Sequence, residues 1–358
     1  MNLRDLVESA KTQQASDIHL AVNHPPMFRI HGEMHFLKLP AVTQQDMETM
    51  LNSIMSDEHK KKFQEEWELD MAYSYNEDTR FRINAFRDTN GYGAVLRIIQ
   101  AKVKTLSMLK APSVLERIAG LHKGIVLVTG PTGSGKSTTV AALIHHINSI
   151  YPKHIITVED PIEFLHKSNK SLINQREVGE HTRAFSKALK SALREDPDII
   201  MVGELRDLET IRLAMTAAET GHLVIGTLHT SSAPQSIDRI IDVFPPEEKA
   251  MIRVMLSNSL EAIITQQLIR TADKAGRVAA YEVLIANSGV RNLIREGKIP
   301  QIFSMMQVGS SLGMMLMRDS VMNLVNNGII TKEDAQRAMN QGEENTEKAK
   351  MERATTIF

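Results

Sequence analysis

From about residue 123 the chain sets short apolar runs between segments of helical spacing. Ile125–Val128, His154–Val158, Asp198–Val202 and His222–Thr227 are the runs. Strand-length apolar runs that alternate with helices predict a parallel α/β sheet. Thr138 to Ile150 places Val140, Leu143, Ile144 and Ile147 on one stripe and predicts a helix. Beyond about Ser257 the pattern reads mainly as helical. Thr331-Lys-Glu-Asp334 has the form of a capping box that opens a last helix. Residues 341–358 are polar and aperiodic, so a loose tail is expected there.

The first hundred residues predict a small α+β domain. Leu3, Leu6, Val7 and Ala10 recur at helical spacing, Asp17 to Val22 alternates like a strand, and Asn23-His-Pro-Pro26 marks a turn. Met27 to Ile30 reads as a second strand, followed by a tight connection at His31-Gly32-Glu33. Asp46 to Trp67 reads as helical, with Met47, Met50, Leu51, Ile54 and Met55 on one face. Arg80 to Ile98 predicts a hairpin around Asp88-Thr-Asn90-Gly91. An Asn90-Gly91 loop would put Asn84 opposite Arg97. Arg80, Arg82 and Arg97 then share one face and Phe81, Ile83, Leu96 and Ile98 the other. Charge on an open sheet face is solvated by default. Residues 101–122, broken by Pro112, are expected to connect this domain (1–100) to a second (123–340).

A length of 358 residues supports two domains, and 42% hydrophobic with 24% charged residues is ordinary for a globular chain. Forty-two basic residues against 43 acidic leave a net charge of -1, which argues against a nucleic-acid-coating surface. Cysteine is absent. That removes disulfides, thiolate metal sites and thiol catalysis, and it fits a reducing compartment. No apolar run is long enough to span a bilayer, and the charged first twenty residues do not resemble a signal peptide.

Gly130-Pro-Thr-Gly133-Ser-Gly135-Lys136-Ser137 matches the phosphate-binding pattern G-x-x-x-x-G-K-[ST], with a strand before it and a helix after it. Gly130, Thr132, Gly133, Ser134, Gly135, Lys136, Ser137 and Thr138 are therefore the candidate nucleotide contacts. Backbone N–H groups of such a loop curl around phosphates, the lysine reaches the β/γ-phosphates, and the Ser137 hydroxyl suits Mg²⁺. Glu204 ends an apolar strand, where an acid can meet a metal and the attacking water. Glu159-Asp160-Pro-Ile-Glu163 is a second acidic cluster after a strand and offers a general base. A helix N-cap or a surface ion pair explains either cluster equally well, and Asp160-Pro161 reads as a helix start. His222 and His229 stand seven apart, so on a strand they face opposite ways, which argues against a shared metal. Either could be a hydrogen-bonded histidine at a strand end or a sensor of the γ-phosphate.

These motifs, in this order, resemble the type IV pilus retraction ATPases of the secretion-ATPase superfamily, a RecA-like class. The resemblance covers about residues 1–340 and rests on several motifs: Ala15-Ser-Asp-Ile-His-Leu20, Arg80-Phe-Arg82-Ile-Asn-Ala-Phe86 and the phosphate loop. It also rests on an Asp box (Ile156 to Phe164), a Walker B segment (Asp198 to Asp207) and a His box (Gly221 to Thr230). It implies an N-terminal PAS-like α+β domain before a RecA-like P-loop ATPase domain with a helical C-terminal portion. It further implies ATP with Mg²⁺ and a cytoplasmic homohexamer at the inner-membrane base of a pilus. Such a ring would work on a pilus platform protein, beside an accessory retraction ATPase and without nucleic acid. In that family Lys136 would hold phosphate, Ser137 and Glu204 the metal, and Glu163 would activate water. His222 and His229 would couple nucleotide state to motion, and Arg80, Arg82 and Arg97 would approach the nucleotide. One departure concerns a helical motif that usually reads Ala-Ile-Arg-Asn-Leu: here Ser288-Gly289-Val290 replaces its start, while Arg291 to Leu293 survive, and a flexible glycine at 289 is expected to weaken that helix. Assembly and type II secretion ATPases usually carry a longer N-terminal region and a four-cysteine metal site, neither present here. An accessory retraction ATPase is a further alternative within the superfamily, but that subfamily departs from the Leu193-Arg-Glu-Asp-Pro and Arg291-Asn-Leu patterns kept here; a nucleotide-gated binding module is the alternative from another class.

Overall fold

The structure, a computed structural model, describes residues 2–30, 32–76, 79–100 and 103–340. The expected loose tail and residue 31 of the expected tight connection lie outside them. The described chain divides into two compact units, one of residues up to 100 together with Pro161–Leu165, the other of the remainder from Val103.

The N-terminal unit runs α1 (Leu3–Thr12), β1 (Asp17–Ala21), β2 (Met27–Ile30), β3 (Glu33–Phe36), α2 (Gln44–Ile54) and α3 (Asp57–Glu66). It closes with β4 (Glu68–Asn76), β5 (Thr79–Asp88) and β6 (Gly91–Gln100). The single helix expected over 46–67 is two, because Ser56 caps a new start by accepting from the His59 N–H at 3.2 Å. The six strands form one antiparallel sheet in the order β3-β2-β1-β6-β5-β4. Ile18, Phe28, Phe81, Ile83 and Leu96 on one face pack into a core with Leu6, Val7, Met47, Met50 and Phe63 of the helices.

The hairpin forms, but its loop is Thr89-Asn90. Asp88 Oδ1 accepts from the N–H groups of Asn90 (2.7 Å) and Gly91 (3.1 Å), which draws the turn one residue earlier. The register moves by two, so Arg82 faces Arg97 where Asn84 was expected. An even shift leaves every side chain on its face. The polar face therefore carries Arg29, Asp17, Arg97 and Arg82 in one transverse row over β2, β1, β6 and β5.

The second unit begins with α4 (Val114–Ala119), β7 (Gly124–Thr129), α5 (Lys136–Ile150), β8 (His154–Glu159) and β9 (Leu172–Glu177). It continues with α6 (Phe185–Ala192), β10 (Ile199–Val202), α7 (Leu208–Glu219), β11 (Leu223–Leu228), α8 (Ala233–Asp242) and α9 (Lys249–Ser259). Then come β12 (Leu260–Arg270), β13 (Arg277–Ile285), α10 (Ser288–Glu296), α11 (Ile302–Val308), α12 (Met317–Asn326) and α13 (residues 332–340). Thr331 and Asp334 form the expected cap of α13. Seven strands pair in the order β13-β12-β7-β11-β10-β8-β9, all parallel except β12 with β13. The fold is α/β, with helices over a parallel sheet.

Three expectations change. Leu106, Val114, Leu115, Ile118 and Ala119 are buried with β7 and α5, so 103–122 is part of the second core and not a free connector. The stretch after Ser257 opens with the β12–β13 hairpin. Its residues are buried on both faces, which erases the alternation that marks a half-exposed strand. Gly289 does not weaken α10: Asn287 caps it through the Val290 N–H (2.9 Å), and a Cβ at 289 would lie 2.7 Å from Met305 Cε. Among the described residues no helix is long and apolar enough to cross a membrane.

Leu127 is fully buried in β7, an inner strand of the sheet. Leu127→Ala should cost about 2–5 kcal/mol, measured as a lower urea midpoint of the second unit's transition. A loss under about 1 kcal/mol would mean that the core closes around the deletion.

Candidate functional site

Strands β8, β10, β11 and β7 run in register and end at one sheet edge: Val158 faces Val202, Val202 faces Gly226, and Leu228 faces Thr129. Three loops leave that edge, 130–135, 203–207 and 229–232. In the first, Gly130, Gly133 and Gly135 take φ of +143°, +77° and +89°. A Cβ on Gly130 would lie 2.4 Å from the Gln266 carbonyl and 2.6 Å from Ser134 Oγ, so only glycine fits. Lys136 opens α5, is buried, and donates through Nζ to the Gly130 (2.7 Å) and Pro131 (3.2 Å) carbonyls. Ser134 Oγ is buried without a hydrogen bond. Left-handed glycines, a buried ammonium and a helix N-terminus form a donor set that fits polyphosphate.

His229 follows β11 and joins this loop to the Walker B acid. Its Nδ1 lies 3.4 Å from Thr132 Oγ1 and 3.5 Å from Lys136 Nζ, and its Nε2 3.3 Å from Glu204 Oε1. A proton on Nε2 directed at the carboxylate leaves Nδ1 to accept from the ammonium and the hydroxyl. Glu204 also takes Arg206 Nη2 at 2.7 Å. Burial pushes the Glu204 carboxyl up, but the Arg206 hydrogen bond and charge, together with the His229 hydrogen bond, outweigh it, so the group titrates below its ordinary value. Backbone contacts brace the loop: Gly203 N–H donates to the Val158 carbonyl (2.7 Å), Leu205 N–H to the Thr227 carbonyl (3.0 Å), and Asp207 caps α7 through the Thr210 N–H (2.9 Å).

His222 lies away from the phosphate loop. It stands just before β11, at the sheet edge opposite the phosphate loop, because the strand's six residues separate it from His229. At about 3.3 Å per residue that is close to 20 Å along the strand. Its Nδ1 lies 2.9 Å from the Ala217 carbonyl and 3.2 Å from Thr220 Oγ1, at the C-terminus of α7. The expected helix start at Asp160-Pro161 is likewise an irregular loop. Glu159 is buried at the end of β8, where it accepts from Thr157 Oγ1 (2.7 Å) and Gln175 Nε2 (3.2 Å). Glu163 is half-buried in the Pro161–Leu165 segment, which groups with the N-terminal unit.

The arginine face is more ordered than a bare solvated one. Arg97 Nε donates to Asp17 Oδ1 at 2.8 Å, and Arg82 grips Asp70 through Nε (3.1 Å) and Nη2 (2.5 Å). Asp17 is only 4% exposed and also accepts from Ser16 Oγ at 2.7 Å. Burial pushes its carboxyl up, and the Ser16 and Arg97 hydrogen bonds bring it below its ordinary value. Arg80 is buried on the same face.

Two residues of the site escape sequence reading. Gln266 Nε2 donates to the Ser134 carbonyl at 2.6 Å, and Thr265 Oγ1 meets Thr129 Oγ1 at 2.8 Å. Both stand on β12, whose pairing with β7 has no local signature.

The family model described as type II/IV secretion system protein matches residues 2–357. A protein named "Twitching motility protein" from Neisseria gonorrhoeae is 54% identical over 318 residues, 89% of this chain and 85% of that protein. A "Type IV pilus retractation ATPase PilT" from Pseudomonas aeruginosa is 51% identical over 335 residues, 94% of this chain and 97% of its own length. The crystal structure of the pilus retraction motor PilT with bound ADP superimposes with a TM-score of 0.88 at 44% identity, covering 94% of this chain and 97% of that one.

A carboxyl depressed in the folded state stabilises above its unfolded pKa, and that contribution is lost as pH falls through the folded value. Wild type should exceed Glu204→Gln in stability at pH 7, and the gap should close as pH drops below the ordinary carboxyl value of 4.5. Thermal melts at pH 7 and pH 3.5 measure it; a gap that widens in acid would contradict the assigned ion pairs.

Proposed function

The chain belongs to the type II/IV secretion system protein family, and from that premise we propose that it is the ATP-hydrolysing motor of type IV pilus retraction, the activity behind twitching motility. One observation carries the reading at the level of chemistry. A single imidazole lies against the phosphate-loop lysine on one side and the Glu204 carboxylate on the other. Loss of the γ-phosphate changes the charge that Lys136 and Thr132 face, and His229 relays that change to the loop at 203–207.

Lys136 and the N–H groups of the glycine loop bind and neutralise the phosphates. Ser137 and Glu204 would hold Mg²⁺, which supplies charge neutralisation on the phosphate oxygens. Glu163 orients and deprotonates the attacking water. Arg80, Arg82 and Arg97 belong to the N-terminal unit, so their reading as nucleotide contacts requires delivery across a domain or subunit boundary; the acids that hold Arg82 and Arg97 keep those guanidiniums extended for it. The working form is a homohexamer that acts from the cytoplasmic side on an inner-membrane pilus platform protein, with an accessory retraction ATPase as a second partner. The near-neutral charge supports a protein partner over nucleic acid.

Lys136→Ala should bring steady-state phosphate release below a tenth of wild type, a barrier increase above about 1.4 kcal/mol. Arg97→Ala should be similarly crippled without unfolding, since a bridging arginine contributes on the order of 10³–10⁵ to phosphoryl transfer. Mixing the two variants and allowing subunit exchange should restore part of the activity. Wild-type rates for both would end the ATPase reading of this site. In cells, deletion of the gene should leave long, non-retracting pili, whereas bald cells would assign the protein to assembly.

A further inference from the structure

Glu282 lies on β13 in none of the motifs above and is 7% exposed. Its Oε1 accepts from the Ala233 N–H at 2.8 Å, and its carboxylate also accepts from the Met317 N–H. These are the first residues of α8 and α12. The residue before α12 is Leu316, which has no side-chain acceptor to cap it. For α8, Ser232 accepts from the Gln235 N–H at a long 3.4 Å. One buried carboxylate thus serves the positive ends of two helices. Burial pushes its carboxyl up against the two N–H groups that favour the charged form.

The place of Glu282 in the sheet matters as much as its bonds. It faces Thr265, Thr265 faces Thr129, and Thr129 faces Leu228, a single row across β13, β12, β7 and β11. Thr129 leads into the phosphate loop and Leu228 leads into His229. Residues 230–232 are laced to the first turn of α8: Thr230 Oγ1 meets Ser236 Oγ at 2.6 Å, and the Ser231 N–H donates to Gln235 Oε1 at 3.2 Å. Whatever fixes the start of α8 therefore fixes the loop that carries His229.

We propose that Glu282 is a positioning residue of the nucleotide site: by pinning the start of α8 it keeps the His229 imidazole between Lys136 and Glu204. The proposal rests on the ATPase reading above. Glu282→Gln keeps the volume but turns one acceptor into an NH₂ group that faces a donor. Since a displacement near 1 Å can cost up to about 10²-fold, kcat should fall by about 10-fold or more. The KM for ATP should stay within about twofold, because the glycine loop and Lys136 are untouched. Glu282→Asp, which keeps the charge but withdraws it by one methylene, should fall between the two and covers a misfolded Gln variant.

Ser320→Ala is the control. Ser320 Oγ accepts from the Tyr281 N–H at 2.9 Å, so its loss loosens α12 without touching α8. It should lower the melting temperature yet leave kcat within about twofold. Hydrogen exchange read by mass spectrometry over residues 229–236 should accelerate in both Glu282 variants and not in Ser320→Ala. Wild-type kcat in both Glu282 variants would overturn the proposal. So would kcat losses that track melting temperature equally in all three variants, which would make the carboxylate a helix cap only. If wild type itself fails to hydrolyse ATP, the ATPase reading falls, and the exchange result over 229–236 alone decides whether Glu282 sets the His229 loop.

Discussion

Parallel pairing in register is the constraint on which the site depends. Thr129, Glu159, Val202 and Leu228 end their strands along one edge. In a parallel sheet every strand delivers its following loop to that same side. A glycine loop, an acidic loop and a histidine loop from distant stretches of sequence then converge with no need for long or mobile segments. The covering helices bury both faces, so the strands are apolar throughout and polar chemistry is confined to the edge. His229, itself in the third loop, touches the other two, and its two ring nitrogens divide the contacts between cation and anion.

The central strands and the phosphate loop were legible from residue identity because their signals are local. Glycine in the left-handed region, a buried lysine and apolar runs between helices each follow from a few adjacent residues. What was not legible depends on pairing between segments far apart. The β12–β13 hairpin reads as helix because burial on both faces removes its period. With it went Gln266, Thr265 and Glu282, whose meaning comes only from the strands they face. For His222, spacing gave its face but not which end of the strand it occupies. The hairpin turn moved because Asp88 could take two backbone N–H groups, a competition that the Asn-Gly signal does not include.

On the N-terminal sheet the arginines and their acids interleave across strands, Asp17 against Arg97 and Asp70 against Arg82. Such pairs on an open face contribute little to stability. Their effect is geometric, since a guanidinium held at one end by a carboxylate has fewer rotamers to lose when its free N–H groups meet an anion. Arg97 is two-thirds exposed while Asp17 beneath it is buried, a fixed base under an outstretched group.

The shifted hairpin also sets a rule for how this part of the chain can change over generations. Because side chains alternate between the faces along a strand, a slip of β5 against β6 by an even number of residues keeps Arg82 and Arg97 on the polar face. A slip of one residue in either strand would turn that strand's arginine toward the core with Phe81, Ile83 and Leu96, unless a bulge or a longer turn absorbs it. Length variation inside β5 or β6, as distinct from the turn between them, should therefore come in pairs of residues, a parity imposed by the pleat itself.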